Sequence, residues 1–336
     1  MRVSKRKHLG TGAVAVASAL ALTACGGVET STGAGDGQGE YPSGTVEMYV
    51  GASAGGSSDL ISRAISKGLS DDLGASFPVI NREGANGALA AAEVASAKAD
   101  GSVISVQNAS LFVITPLAVA ADQVTSIDDF DVVGGVSRDD YVLVTNSDND
   151  WSSIADLKGA GKKITYGTTG VGTGAQLSCA LTYEVGEIDA EAVPFDGGAP
   201  ALTALLGNQV DTACLQVGEA IENIESGKLT ALSVFSPERI DYLPEVPTAA
   251  EQGLDVEVYQ YRFMTVPKGT PEDVQETILE GMKATFETEE YQKFNAQNSL
   301  TPMELSGDEM LAQLEEDKQR YADLVEEYGI ELGSAS

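Results

Sequence analysis

Two stretches of this chain combine glycines with hydroxyl side chains in a way that suits close backbone approach to a ligand. The first, Gly51-Ala52-Ser53-Ala54-Gly55-Gly56-Ser57-Ser58-Asp59, leads into Leu60, Ile61, Ala64, Ile65 and Leu69, apolar residues at helical spacing. The second, Gly167-Thr168-Thr169-Gly170-Val171-Gly172-Thr173-Gly174, leads into the helix pattern of Ala175 to Val185. At a helix start the first amides lack intrahelical acceptors, and the helix dipole adds a partial positive charge. Two such turns facing each other would hold a carboxylate without any Lys or Arg, and Ser53, Ser57, Thr168, Thr169 and Thr173 would add neutral donors. The alternative is a pair of tight turns closed by their own caps, with Asp59 as an acid in the first helical turn. Neither turn fits the dinucleotide fingerprint or ends in the Lys-Ser/Thr of a phosphate loop.

The N-terminus points to export. Arg2, Lys5, Arg6 and Lys7 precede an apolar stretch from about Ala13 to Leu22, which is too short to span a bilayer. It ends at Leu22-Thr23-Ala24-Cys25-Gly26, which resembles the bacterial lipobox. That resemblance implies a signal peptide over 1–24 and lipidation of Cys25; an ordinary signal peptide cut nearby is the alternative. Residues 25–44 are rich in Gly, Ser, Thr and acids and predict a flexible tether.

Composition narrows the chemistry further. The single histidine, His8, lies in the signal segment, so catalysis through a histidine base and histidine-ligated metals are excluded from the exported chain. No enzyme activity, cofactor or metal is expected. The 20 basic residues face 51 acidic ones, a net charge of −31, which argues against nucleic acid as a partner. Cys179 and Cys214 either pair in an oxidising compartment or stand as two buried thiols.

Strand and helix patterns alternate from Val46 onward: Val46–Val50, Phe77–Ile80, Val103–Val106, Val132-Val133, Tyr141–Val144, Lys163–Tyr166 and Glu191–Phe195 read as strands. Helices are expected over Ala88–Ala97, from Ser153 to Leu157 and over Ala199–Leu206. This predicts α/β layers with mainly parallel strands. About 290 residues beyond the tether suit two domains.

Further fragments occur in a fixed order: Asn81-Arg82-Glu83-Gly84-Ala85-Asn86-Gly87, Ala99-Asp100-Gly101, Val193-Pro194-Phe195-Asp196-Gly197-Gly198-Ala199-Pro200, and Arg239-Ile240-Asp241-Tyr242-Leu243-Pro244-Glu245-Val246-Pro247-Thr248. Together with the two glycine-rich turns they resemble the substrate-binding receptors of tripartite tricarboxylate transporters, the Bug receptors. Two departures, Ala54 and Asp196, fall at positions where that family often carries Pro and Lys.

The resemblance implies a type II periplasmic-binding-protein-like fold, with one domain over 45–140 plus 259–336, a second over 141–258, and a ligand cleft between them. It implies a small carboxylate solute delivered to membrane transporter subunits; a receptor for ATP-driven uptake or a sensory binding protein is the alternative. Carried onto this sequence, Ser53, Ala54, Gly55, Gly56 and Ser57 from one turn and Thr168, Thr169, Gly170, Gly172 and Thr173 from the other would take the carboxylate. Asn86, Asn108 and Ser110 would reach water or the far end of the solute. Asp196 would see an amine or hydroxyl, or only cap the helix near Ala199. Arg262 would either reach the cleft or form an ion pair at the surface or between domains. Leu311, Leu314, Tyr321 and Leu324 would form the core face of an acidic C-terminal helix.

Overall fold

Alternation of buried and half-exposed residues makes Glu47–Val50 the first strand, β1. The chain then turns through the first glycine-rich segment into helix α1 (Ser57–Leu73), whose core face is Ile61, Ile65 and Leu69. The computed structural model describes residues 41–333. The expected signal peptide, Cys25 and the tether up to residue 40 lie outside the described residues. Tyr41, expected in the tether, belongs to the folded body: its hydroxyl donates to the Gly101 carbonyl at 3.0 Å.

The chain continues through β2 (Val79–Asn81), a 3-10 turn at Ala85–Gly87, α2 (Ala88–Ala95), β3 (Val103–Asn108), α3 (Ser110–Val113) and β4 (Phe130–Asn146). Next come α4 (Ile154–Lys158), β5 (Ile164–Thr168), α5 (Gly174–Val185), β6 (Ala190–Pro194), α6 (Gly198–Leu206), β7 (Thr212–Gln216), α7 (Val217–Glu225) and β8 (Leu229–Val234). The last part holds β9 (Tyr259–Pro267), α8 (Glu272–Phe286), α9 (Glu289–Gln297), β10 (Thr301–Pro302) and α10 (Gly307–Glu327).

The strands lie in the order β2-β1-β3-β9-β4-β7-β5-β6, with β8 and β10 also paired to β4. The pairs β1–β2, β1–β3, β5–β6 and β5–β7 are parallel, as the alternating pattern predicts. Every pairing of β4 and β9 is antiparallel, so the sheet is mixed rather than mainly parallel. Two strands read separately from the sequence, Val132-Val133 and Tyr141–Val144, are one 17-residue strand. The three charged residues Arg138, Asp139 and Asp140 between them hid that continuity. Residues Phe130–Asp140 of β4 pair with β9, and from Tyr141 to Thr145 the same strand pairs with β7. Its register against β9 shifts near Gly134 and Gly135, where a Cβ on Gly135 would meet the Met303 carbonyl oxygen at 2.1 Å.

Three apolar clusters fill the layers beneath the helices. Cys179 of α5 and Cys214 of β7 are disulfide-bonded with their Cα atoms 5.9 Å apart. Closing a loop across a sequence separation of 35 restricts the unfolded chain enough to stabilise the fold by about 3–4 kcal/mol. Helix α10 buries Met310, Leu314, Asp317 and Tyr321, whereas Leu311 is 40% exposed. Leu314 and Tyr321 are thus buried as expected and Leu324 is half-buried against the same core, while Met310 takes the place expected of Leu311; Asp317 also faces inward, paired with Arg320 at 2.7 Å.

Candidate functional site

Glycine-rich turns, helix starts and two central strands meet in an open cleft of about 1190 Å³. The first turn is held by side chains that consume its inward donors. Asp59 accepts from the Gly55 amide at 2.8 Å, from Asn81 at 2.9 Å and from Arg63 at 2.9 Å. Although burial opposes it, this set of hydrogen bonds keeps the Asp59 carboxyl below its ordinary range. Asp59 is thus a structural acid, as a tight-turn reading expects, yet the outward amides of Ser57 and Ser58 have no acceptor among the described residues. Both residues line the cleft.

The second turn is built the same way. The Thr173 hydroxyl donates to the Gly170 carbonyl at 2.8 Å and caps α5 by accepting from the Gln176 amide. Gln176 in turn accepts from the Gly172 amide at 2.8 Å. Gly170 at φ +131° and Gly172 at φ +70° occupy backbone that other residues rarely adopt, and a Cβ on Gly172 would lie 2.9 Å from Thr115 Cα. The amides of Thr169, Gly170 and Val171 have no acceptor among the described residues, and all three residues line the cleft.

Of the residues expected from the sequence, Ser53, Ala54, Gly55, Gly56 and Ser57 lie on one wall with Asn86 and Asn108. Thr169, Gly170, Thr173 and Asp196 lie on the other side. Three expected residues do not line the cleft: Thr168, Gly172 and Ser110 are buried behind it. Thr168 ends β5, with its hydroxyl buried and unpartnered. The Gly172 carbonyl accepts from Asn86 at 3.2 Å and Thr115 at 3.1 Å, while Ser110 accepts from Asn86 and Gln260. These contacts tie Gly172 and Ser110 to the elements behind the turns. Gly51-Ala52-Ser53-Ala54-Gly55 also spells Gly-x-Ser-x-Gly, the nucleophile-elbow pattern. Ser53 is exposed and donates to the Glu83 carboxylate at 2.8 Å, so the pattern carries no triad here.

Arg262 lines the cleft, one of the places expected of it, and is ion-paired there. It is neither at the surface nor free: only 2% exposed, it reaches the cleft from β9 with Nη1 2.5 Å from Asp139 Oδ2. That contact lies off the N–H direction and is an ion pair rather than an aligned hydrogen bond. Arg262 Nε donates to Ser58 Oγ at 2.9 Å, Ser58 donates to Asn108 at 3.0 Å, and Ser57 donates to Asp139 at 3.1 Å.

Sequence reasoning missed Asp139, Tyr141 and Glu219, all on the cleft wall. For Asp139 and Tyr141 the available signal was the charged run Arg138-Asp139-Asp140 between two apolar stretches of one strand. Glu219 sits in the capping box of α7, accepting from the Gln216 amide at 3.3 Å. Its carboxylate lies over the start of α6, where a Cβ on Gly198 would come within 2.1 Å of Oε2. Burial first, and nearby Asp139 despite the Gln216 hydrogen bond, push the Glu219 carboxyl up to about 7. A smaller groove of about 510 Å³ beside α1, α8 and α9 is separate; its Lys67 is already paired with Asp71 and Glu290.

Comparisons with known proteins converge. A profile of the tripartite tricarboxylate transporter family receptor matches residues 61–330. A UPF0065 protein from the TAR-I ttuE–ttuC' intergenic region of Agrobacterium vitis is 33% identical over 254 residues, 74% of this chain and 73% of that protein. BugT of Bordetella pertussis is 29% identical over 302 residues, 87% of this chain and 91% of its own length. Among solved structures, the periplasmic binding protein BugD superposes with a TM-score of 0.78 at 27% identity, covering 87% of this chain and 99% of that one. MatC of Rhodopseudomonas palustris, with bound malate, superposes with a TM-score of 0.76 at 25% identity, covering 85% of this chain and 100% of that one. The fold is therefore that of a periplasmic binding protein.

The buried pair makes a stability prediction. Arg262→Met strands the Asp139 carboxylate in the interior and should cost about 3–5 kcal/mol in urea unfolding. Adding Asp139→Asn should recover most of that loss. A single variant within about 1 kcal/mol of the parent would show that the pair does not hold the strands.

Proposed function

Because the chain belongs to the tripartite tricarboxylate transporter family of receptors, which bind solutes and catalyse no reaction, we propose that its cleft captures a small carboxylate solute for delivery to membrane transporter subunits. The observation that carries this reading is the set of amides without acceptors, from Ser57 and Ser58 on one side and from Thr169, Gly170 and Val171 on the other. Two helix starts and their bare N–H groups supply the field that an anion needs. The malate bound to MatC supports the solute class. Membership in this family also separates the chain from receptors for ATP-driven uptake.

Position 57 offers a way to remove one amide without losing the helix. Ser57 is the first residue of α1, where proline is tolerated, and Gly56 before it is extended at φ −74° and ψ 163°. A calorimetric screen of di- and tricarboxylates should find a binder. Ser57→Pro should then weaken it by about 1–3 kcal/mol more than Ser57→Ala, which removes only the hydroxyl. Equal affinities in the two variants would move the carboxylate away from this turn.

We also read the body as two lobes, 45–140 plus 259–336 and 141–258, hinged on β4 and β9. The support is the change of partners along β4 between Asp140 and Tyr141 and the start of β9 at Tyr259. A solute held by both turns favours the closed form by its differential affinity. Saturating carboxylate should shrink the radius of gyration in small-angle scattering; an unchanged value would mean a preformed cleft.

Export and anchoring complete the proposal. Leu22-Thr23-Ala24-Cys25 directs acylation of Cys25, and two or more acyl chains hold a protein firmly at a membrane. No helix among the described residues is long and apolar enough to cross one. Cys25→Ala should leave the precursor uncleaved or release the protein from membranes; a variant that stays both processed and membrane-bound would rule out the lipid anchor.

A further inference from the structure

We propose that Gln176 positions the second glycine-rich turn for the carboxylate, and that the segment following α10 holds Gln176 in place from behind. This rests on the carboxylate reading above and adds the residues that aim its amides. Helix α10 ends in a left-handed reversal at Gly329, φ +60°. The Gly329 amide donates to the Glu326 carbonyl at 3.3 Å, and the Ile330 amide to the Val325 carbonyl at 3.0 Å. The reversal turns the chain back into the body, where Leu332 is 1% exposed within the apolar cluster that also holds Ala175 and Leu177 of α5. There the Leu332 carbonyl accepts from Gln176 Nε2 at 3.1 Å.

The Gln176 side chain is therefore used at both ends. Its Oε1 accepts from the Gly172 amide at 2.8 Å while its Nε2 donates to Leu332. A backbone N–H only donates and a carbonyl only accepts, so just one of the two flip orientations of the side-chain amide serves both. The reverse orientation sets an NH2 group against the Gly172 N–H. Gln176 and Gly172 are both buried, so water does not replace a bond lost here and the unmade one is costly. The Leu332 carbonyl, 156 positions away, thus selects the orientation that keeps the Gly172 amide satisfied.

That amide matters because the turn has few other constraints. Gly170 and Gly172 both have positive φ and no side chain, and glycine has more backbone freedom to lose than any other residue. The Gly172 carbonyl is held by Asn86 and Thr115, and its amide by Gln176. With both groups held, the Thr169, Gly170 and Val171 amides stay turned to the cleft before a solute arrives. Gln176 does not itself line the cleft, so it acts through the turn and not on the solute.

The test uses the full chain in detergent and titration calorimetry with malate, succinate and citrate. Gln176→Met removes both amide functions at similar length, and a chain ended after Gly329 removes the Leu332 carbonyl while keeping Gln176. Each should weaken whichever acid binds by about tenfold, the scale of one hydrogen bond. Combined, they should cost no more than about twofold beyond either alone, because the two changes break one connection. Gly329→Val offers a second route to the same end, misdirecting the segment by strain at positive φ with no atom within 4 Å of the new Cβ. Leu332→Ala, which keeps the carbonyl, should bind within about twofold of the parent. Hydrogen exchange over residues 167–177 of the solute-free protein should quicken in Gln176→Met and in the shortened chain but not in Leu332→Ala. Three results overturn the proposal: costs that multiply to about a hundredfold, Leu332→Ala as weak as the shortened chain, or unchanged exchange in Gln176→Met. If none of the acids binds the parent, the carboxylate reading falls and the exchange result alone decides the role of Gln176.

Discussion

The buried ion pair between Asp139 and Arg262 joins the two strands that every other feature of the cleft depends on. Two charges removed from water are tolerated only when they satisfy one another and their neighbours. Here the pair recruits the first turn of α1: Arg262 binds Ser58, Ser58 binds Asn108, and Asp139 accepts from Ser57. The direction of the Ser57 and Ser58 amides is therefore set by charges on β4 and β9, not by the turn alone. Because β4 pairs with β9 up to Asp140 and with β7 from Tyr141, the same contact lies where the sheet changes partners.

The proposed capture of an anion by backbone dipoles suits a chain of net charge −31. A free Lys or Arg in the cleft would find abundant carboxylates of its own to pair with, as Lys67, Arg82 and Arg239 do elsewhere. Amides cannot be neutralised in that way. Each turn instead spends its side chains on the inward donors, through Asp59 and through Thr173 with Gln176, and leaves the outward ones bare. The site is organised before a solute arrives, which lowers the ordering cost of binding.

Residues behind the wall link the turns to each other. The Asn86 side-chain amide reaches Ser110, Thr115 and the Gly172 carbonyl, while Gln260 of β9 donates to Ser110 at 2.9 Å. The second turn is thus tied to α3 and to the same central strand that carries Arg262. Asn86 adopts φ +52°, a left-handed conformation that asparagine accepts more readily than most residues. Ser110 and Gly172 join the elements behind the cleft through these hydrogen bonds.

The sequence by itself determined what is local. Glycine runs ahead of helical periodicity located both turns, the apolar spacing of Leu60 to Leu69 located α1, and collinear fragments from Asn81 to Thr248 pointed to the receptor family. These signals are legible because turn conformations, helix starts and amphipathic faces depend on residues within a few positions of one another. Tertiary structure decided what depends on distant partners. The antiparallel course of β4 and β9 and the bond between Cys179 and Cys214 rest on residues far apart in the chain. So does the meeting of Asp139, Glu219 and Arg262. A charge inside a strand reads as a loop or an edge in one dimension, and only the partner brought in by the sheet, 123 positions away in the case of Arg262 and Asp139, makes its burial affordable.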